Sequence, residues 1–180
     1  YVYMQIVDRS YSDLIDRRAS ILFKAREIQV QATQINSSAR DYMLTRDLAA
    51  LDKMDTATKE LTNLIRQVKP MVYSEENKRL LQNMEDSLEK LEQAKPEFVR
   101  LVKVSPEQSL RYATENLFPL SRDIREKSDG LAVYQQKQMD EASKENKATV
   151  ENALTVVLLM LIVSLAAAVG LALFIASRLS

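Results

Sequence analysis

Cationic side chains interrupt the apolar pattern of this sequence at three positions, Arg18, Lys95 and Lys127. Each stands where the neighbouring helical repeats carry an apolar residue, so each is expected to face other helices. A charge at such a position must be paired, extend to water or contribute to a binding site. Arginine binds carboxylates through two parallel hydrogen bonds, and lysine binds them as a point charge. If these cations serve a site, the chemistry they predict is the binding of an anion.

Lys95 is the cation with the most polar surroundings. Counting residues along each helix from its expected end places Lys95 in a layer of hydroxyl, amide and cationic side chains. Such a layer suits an anionic small molecule, for example a dicarboxylate or an amino acid. The candidate ligand-binding site comprises Arg40, Lys95, Asn36, Thr58, Arg111, Tyr112 and Asn116, with Ser37 and Thr114 in the same layer.

A simpler interpretation of these cations stays open. Long basic side chains often extend to water and form surface ion pairs that contribute little free energy. In this interpretation Lys95 and Arg40 pair with acidic neighbours, namely Glu92, Asp41 or Glu115.

The composition excludes several classes of chemistry. The chain has no His and no Cys, and its 25 basic side chains balance 25 acidic ones. It therefore lacks the commonest general base and any thiolate, and it has no basic excess for nucleic-acid phosphates. Adjacent carboxylates such as Glu75 and Glu76 do not face each other on a helix, and two glycines cannot form a phosphate-binding loop. We expect no catalytic residue, no metal, no cofactor, no nucleic-acid partner and no enzyme activity.

The N-terminal part of the chain carries an apolar repeat with steps of three and four residues, the pattern of a helix packed against other helices. This repeat predicts a first helix over residues 2–45. Within it, Arg18 is expected at the height of Tyr134 and Gln135 on the last helix. The predicted seam consists of Met4, Val7, Tyr11, Leu14, Arg18, Ile21, Ala25, Ile28, Ala32, Ile35, Ala39 and Tyr42.

Two shorter amphipathic segments follow. Asp47 can cap a second helix over 47–69, which ends because the residue before Pro70 is disfavoured in helical conformation. Ser74 can cap a third helix over 75–103. The predicted inward positions are Leu51, Met54, Thr58, Leu61, Ile65 and Val68, followed by Leu81, Met84, Leu88, Leu91, Lys95, Phe98 and Val102.

A fourth helix is predicted over 106–150, with Ser105 as its cap and Pro106 at its first position. Pro96 and Pro119 lie inside the third and fourth helices, where each is expected to kink the helix or interrupt its hydrogen bonds. The predicted inward positions of the fourth helix are Leu110, Ala113, Leu117, Leu120, Ile124, Lys127, Leu131 and Tyr134.

Four such helices with short connections predict an all-α, antiparallel four-helix bundle. Its first and fourth helices are long, and the second and third pack against only part of them. The fourth is predicted to continue into a transmembrane helix over 151–177, because residues 153–176 carry no charge and extend about 36 Å as a helix. Basic residues beside a membrane span tend to lie in the cytoplasm. This tendency places Arg178 in the cytoplasm, with residues 178–180 at the start of a cytoplasmic linker and residues 1–150 outside the cytoplasm.

This layout resembles the four-helix-bundle sensor of bacterial methyl-accepting chemotaxis proteins, including the second transmembrane helix. The run from Arg40 to Asp47 is similar to the end of the first helix in many such sensors, which usually carry glycine where this chain has Arg46. The tail from Ser177 to Ser180 is similar to the lead-in to a cytoplasmic HAMP linker.

The resemblance implies a homodimeric chemoreceptor in the bacterial cytoplasmic (inner) membrane, with its sensor on the periplasmic side. Such a receptor binds a small molecule or a ligand-loaded binding protein and passes a helix displacement across the membrane. Its cytoplasmic part would act on the kinase and adaptor of the chemotaxis pathway. Two alternatives stay open: the sensor of a histidine kinase or nucleotide cyclase, and a membrane-anchored structural bundle without a small-molecule ligand.

Overall fold

The computed structural model describes the backbone of residues 2–179 and the side-chain surroundings of residue 12, residues 14–162 and residue 164. The helices are α1 (Val2–Thr45), α2 (Leu48–Val68), α3 (Glu75–Val104), α4 (Pro106–Asn116) and α5 (Phe118–Leu179), with a 3-10 turn at Lys69–Met71. The chain divides into two compact units, residues 1–139 and residues 140–180. The first unit is an all-α four-helix bundle whose first and fourth helices are long.

The core of the bundle follows the seams predicted from the sequence. On α1, every predicted position from Ile21 to Tyr42 is buried, and α2 and α3 bury nearly all of theirs. Tyr42 and Phe98 pack edge to face, with ring centroids 6.2 Å apart. Aromatic pairs favour this arrangement because a ring edge carries positive and a ring face negative partial charge. The apolar repeat alone therefore identified most of the core of the first three helices. The predicted positions Met4, Val7 and Tyr11 lie outside the described side chains.

The three predicted helix caps are confirmed. The Asp47 carboxylate accepts a hydrogen bond of 2.9 Å from the amide of Ala49 at the start of α2. The Ser74 hydroxyl accepts from the amide of Asn77, and the Ser105 hydroxyl accepts from that of Gln108. Each cap satisfies an amide that the first turn of a helix leaves without a carbonyl partner.

The turn between α1 and α2 closes with Arg46 in the left-handed region, at φ 57°. The Arg46 amide still donates to the carbonyl of Tyr42, at 2.9 Å, which completes the end of α1. The Thr45 hydroxyl then accepts from the amide of Asp47. A side chain with a Cβ pays a steric cost in this conformation that glycine does not, so Arg46 carries local strain.

The fourth helix of the bundle is divided, whereas the sequence predicted one helix with a kink. α4 ends at Asn116 and α5 begins at Phe118, just before Pro119. Proline has no amide hydrogen to donate, and its ring crowds the preceding turn. The amides of Leu117 and Ser121 keep their bonds to Ala113 and Leu117, so the interruption is local. Pro96, by contrast, lies inside a continuous α3.

Several inward positions of the fourth helix differ from the prediction. Leu110 is 54% exposed, and the neighbouring Ser109 is buried in its place. Further along, Ser121, Ser128 and Gln135 are buried, where the apolar pattern predicted Leu120, Lys127 and Tyr134. The buried positions of this seam thus include three serines and a glutamine, which a pattern based on apolar residues does not detect.

Residues 140–180 form the second unit, which is helical through Leu179. Within the described part of the chain, no helix is long and apolar enough to span a membrane. The predicted span at 153–176 lies largely outside that part, because the surroundings of residue 163 and residues 165–176 are not described. The transmembrane helix therefore stays a prediction.

Candidate functional site

An open groove of about 580 Å³ lies between α2 and α3. We call it the Lys95 groove. Two of the predicted site residues, Lys95 and Thr58, line it. Its other lining residues are Asp55 and Lys59 on α2, and Glu92, Pro96 and Val99 on α3. Two lysines, two carboxylates and an apolar patch therefore line the groove and are available to a bound molecule.

Lys95 forms an ion pair with Asp55 across this groove. The pair joins α3 to α2, and both side chains are largely shielded from water. Burial lowers the pKa of the Lys95 ammonium below its ordinary value. A desolvated lysine gains more from a carboxylate partner than an exposed one, because the local dielectric constant is lower. The ammonium is therefore suited to hold a carboxylate in place.

Thr58 is buried and contributes its side chain to the floor of the groove. Its hydroxyl donates a hydrogen bond of 2.8 Å to the carbonyl of Met54, one turn earlier in α2. The hydroxyl hydrogen is thereby used within the helix, while the oxygen can still accept. Thr58 therefore offers an acceptor to a ligand rather than a donor.

The other predicted site residues do not line this groove. Arg40 is exposed, and its guanidinium lies over the ring of Phe118, 5.1 Å from the centroid, as a cation–π contact. Arg111 is exposed and pairs with Glu107 on its own helix, at 3.2 Å. The structure thus does not bring the two arginines and Lys95 together.

The three remaining predicted site residues lie on α1 and α4. Asn116 donates from its amide to the carbonyl of Tyr112, at 3.1 Å, near the end of α4. The ring of Tyr112 packs against the core. Asn36 lies one turn before Arg40 on α1, and its buried carbonyl oxygen has no hydrogen-bond partner within the described residues. None of the three lines the Lys95 groove, so only Lys95 and Thr58 of the predicted layer lie there.

Sequence reasoning missed Asp55, the partner of Lys95. The alternative interpretation expected an ion pair for Lys95 but assigned it to other acids, of which Glu92 is a neighbour in the groove and not the partner. The sequence signal was present, since Asp55 directly follows the seam residue Met54. The predicted layer placed Thr58 of α2 level with Lys95 but did not include Asp55, one turn earlier on the same helix.

Comparison with known proteins identifies the family of this chain and a solved structure with a similar fold. Residues 1–150 match the family described as "Four helix bundle sensory module for signal transduction". Among solved structures, the chain is similar to a "Periplasmic sensor domain of sensor histidine kinase", with a TM-score of 0.65 and 16% sequence identity. This similarity covers 74% of this chain and 93% of that chain, and at such an identity it shows the fold alone. No curated protein matched the sequence.

Proposed function

Because the chain belongs to the family of four-helix-bundle sensory modules for signal transduction, we propose that it detects a small molecule outside the cytoplasm. The module itself is a sensor and not a catalyst. The proposed output is a helix displacement passed to a cytoplasmic signalling domain, as in a chemoreceptor. The observation that carries the ligand proposal is the Lys95–Asp55 ion pair in an open groove.

The charges of the Lys95 groove favour an amino acid over a dicarboxylate. An amino acid can pair its carboxylate with Lys95 and its ammonium with Asp55, so that two ion pairs replace one. A dicarboxylate would instead have only the exposed Lys59 for its second carboxylate, in a groove whose Asp55 and Glu92 repel it. Val99 and Pro96 provide an apolar wall for the amino-acid side chain.

Thermal unfolding of the purified chain in the presence of amino acids, dicarboxylates, sugars and amines tests this proposal. A ligand present at a hundred times its dissociation constant stabilises the folded state by about 2.7 kcal/mol. We expect an amino acid to raise the melting temperature of the wild type but not of Lys95→Met or Asp55→Asn. Lys78→Met is the matched control, because Lys78 forms an exposed ion pair with Glu75 on the same helix.

Equal stabilisation of Lys95→Met and the wild type would contradict the groove as the ligand site. No stabilisation by any compound, in a chain shown to be folded, would favour a ligand-loaded binding protein as the stimulus, or a structural bundle. The membrane topology, the signalling output and the self-association of the chain can be tested independently of this result.

We propose that residues 153–176 cross the cytoplasmic membrane and that the bundle lies outside it. The support is the uncharged run in the sequence, together with Arg178 beyond it. The chain contains no cysteine, so single cysteines can report topology. In intact spheroplasts, a membrane-impermeant maleimide should label Lys53→Cys, an exposed position on α2, and should not label Ser180→Cys. Labelling of both or of neither would contradict this topology.

The proposed output is the kinase and adaptor of the chemotaxis pathway. The fold similarity to a histidine-kinase sensor favours a second candidate, a sensor module joined directly to a kinase. The coding sequence beyond residue 180 distinguishes them. A methyl-accepting signalling domain supports the chemoreceptor, whereas a catalytic kinase or cyclase domain supports the other sensor types.

The partner proposed for the bundle itself is a second copy of this chain. Three large apolar side chains on α1 are exposed and lie a multiple of seven residues apart: Phe23 (64%), Val30 (62%) and Leu44 (83%). Positions seven residues apart lie on the same face of a helix. An apolar stripe with this repeat suits helix-to-helix pairing between two copies.

A further inference from the structure

A small cavity of about 140 Å³ lies where the turn between α2 and α3 meets α1 and α5. Its walls come from three parts of the bundle: Arg17 and Arg18 on α1, Tyr73 and Asn77 at the turn and the start of α3, and Gln135 on α5. The cavity is separate from the Lys95 groove, with which it shares no lining residue. Cavities of about this volume can hold a molecule of roughly six non-hydrogen atoms, such as benzene.

Two polar atoms at this cavity are buried without a hydrogen-bond partner in the described part of the chain. One is the side-chain carbonyl oxygen of Asn77, an acceptor, and the other is Nε of Arg17, a donor. Asn77 is only 2% exposed, so bulk water does not satisfy it. A buried polar group without a partner costs about 1–3 kcal/mol. An occupant that both accepts from Arg17 and donates to Asn77 would remove this cost.

The side chains around the cavity are positioned by other contacts. Arg18 donates to the backbone carbonyl of Gln138, at 2.8 Å, which holds its guanidinium at the wall. The Arg17 guanidinium lies under the ring of Tyr73, 4.5 Å from the centroid. Cation–π contact uses the face of the guanidinium, so Tyr73 does not occupy the N–H groups at its edge.

The charge of the cavity is positive. Two guanidinium groups line it, and among the described residues none of the lining side chains is acidic. An anion is therefore favoured over a cation, and a net negative molecule over a zwitterion. Together with the unpartnered Asn77 oxygen, this charge requires an anion that also carries a hydrogen-bond donor.

We propose that this cavity binds a small 2-hydroxycarboxylate, with its carboxylate at Arg17 and Arg18 and its hydroxyl donating to Asn77. The carboxylate accepts from Nε of Arg17, and the hydroxyl satisfies the Asn77 oxygen. Such a molecule contacts α1, the start of α3 and α5 at once, so its binding stabilises their packing. The site is additional to the amino-acid site proposed above.

Isothermal titration of the full chain with lactate, propanoate, alanine and inorganic phosphate tests this site. Propanoate matches lactate except for the hydroxyl, alanine replaces that hydroxyl by an ammonium, and phosphate is an anion without a carboxylate. We expect lactate to bind at least tenfold more tightly than propanoate and alanine; hydrogen phosphate is also an anion with a hydroxyl donor, so it tests whether the site requires a carboxylate. The preference for lactate over propanoate should disappear in Asn77→Ala, because the hydroxyl then has no acceptor.

Arginine variants separate charge from hydrogen bonding. Arg17→Met should weaken lactate binding at least tenfold, and Arg17→Lys should restore only part of it, because lysine keeps the charge but lacks the Nε donor. The matched control is Arg26→Met, an exposed cation of α1 that pairs with Asp129 and should leave lactate binding unchanged. Should Asn77→Ala fail to fold, the wild-type preference and Arg17→Lys still test the site.

Each other outcome overturns the proposal. Unchanged lactate binding by Arg17→Met would place lactate elsewhere, and equal binding of phosphate or alanine would remove the hydroxycarboxylate assignment. Absence of lactate binding would contradict the hydroxycarboxylate site itself. Lys95→Met distinguishes the two sites, since it should abolish amino-acid binding and leave lactate binding intact.

Discussion

The hydroxyl of Ser128 in α5 donates a hydrogen bond of 2.6 Å to the backbone carbonyl of Ala25 in α1. Both side chains are fully buried. A side chain reaches the backbone of a neighbouring helix only where the two helices approach closely, which small residues permit. This contact fixes the rotation of α5 about its axis, so that Ser128 rather than Lys127 faces the core.

Replacing Ser128 by leucine should destabilise the bundle. The larger side chain must push α1 and α5 apart, and overpacking of this kind costs about 1–3 kcal/mol. Urea unfolding followed by circular dichroism measures the loss. Ser143→Leu is the matched control, because Ser143 is an exposed serine of α5, where the same substitution should change the free energy of unfolding by less than about 0.5 kcal/mol. Equal effects at both positions would show that the close contact at Ser128 does not determine the packing.

Replacing Arg46 by glycine should stabilise the protein. Arg46 adopts φ 57°, which costs a side chain with a Cβ about 1–2 kcal/mol, and glycine recovers part of that cost despite its greater freedom in the unfolded chain. A gain of about 1 kcal/mol raises the melting temperature by about 2–4 °C in a protein of this size. Arg46→Ala, which keeps the Cβ, is the control and should give no such rise. A lower melting temperature for Arg46→Gly would contradict strain at this turn.

The stability of the bundle at acid pH should depend on Asp123. Burial acts to raise the pKa of the Asp123 carboxyl, but hydrogen bonds from Lys127 and Ser87 and the charges of Lys127 and Lys90 outweigh it and hold the pKa below its ordinary value. The contribution of the Asp123 carboxylate to the free energy of unfolding is then complete above about pH 4. It is lost as the pH falls through the lowered pKa. The Ser87 bond, at 2.6 Å, also links α3 to α5.

Urea unfolding between pH 2.5 and pH 7 should therefore show a smaller loss of stability on acidification for Asp123→Asn than for the wild type. Lys127→Met provides a second test. It removes the main group that lowers the pKa, which brings the folded-state pKa closer to the unfolded value, so the loss of stability on acidification should again be smaller than in the wild type. Identical pH dependence of the wild type and both variants would contradict the role of Asp123.

Introducing charge into the exposed stripe of α1 should weaken self-association. Phe23→Glu places a carboxylate within the proposed interface, and like charges on the two copies repel each other. Sedimentation velocity should show a dimer for the wild type and a monomer for the variant. Tyr73→Glu is the matched control, since Tyr73 is also exposed and aromatic but lies away from the stripe. A wild-type monomer would contradict pairing through this face.

The helices and their caps were predictable because their causes are local. Asp47, Ser74 and Ser105 each satisfy an amide within the next three residues, so a short stretch of sequence specifies them. The seam of α1 was predictable because apolar residues recur with the helical period. The height of Arg18 was predicted well for the same reason: it donates to Gln138, within one turn of Gln135.

The candidate site was only partly predictable, because its partners come from different helices. Lys95 was identified from its unusual place in an apolar seam, but the approach of α2 to α3 decides that Asp55 is its partner. Asn77 continues the seam of α3 four residues before Leu81, yet an uncharged amide in a seam gives a weak signal. Arg40 was assigned to the site by its height alone, whereas its position on α1 directs it to Phe118.

The sequence by itself thus determined the four-helix layout of the bundle, the caps at the starts of three helices and most of the core, because helical period and capping act within a few residues. Tertiary structure decided which of two adjacent residues faces inward, as with Ser128 and Lys127, and which charges meet, as with Lys95 and Asp55. Those outcomes depend on the rotation and height of each helix relative to its neighbours. That geometry results from the close packing of all four helices together, and no single segment of the chain contains it.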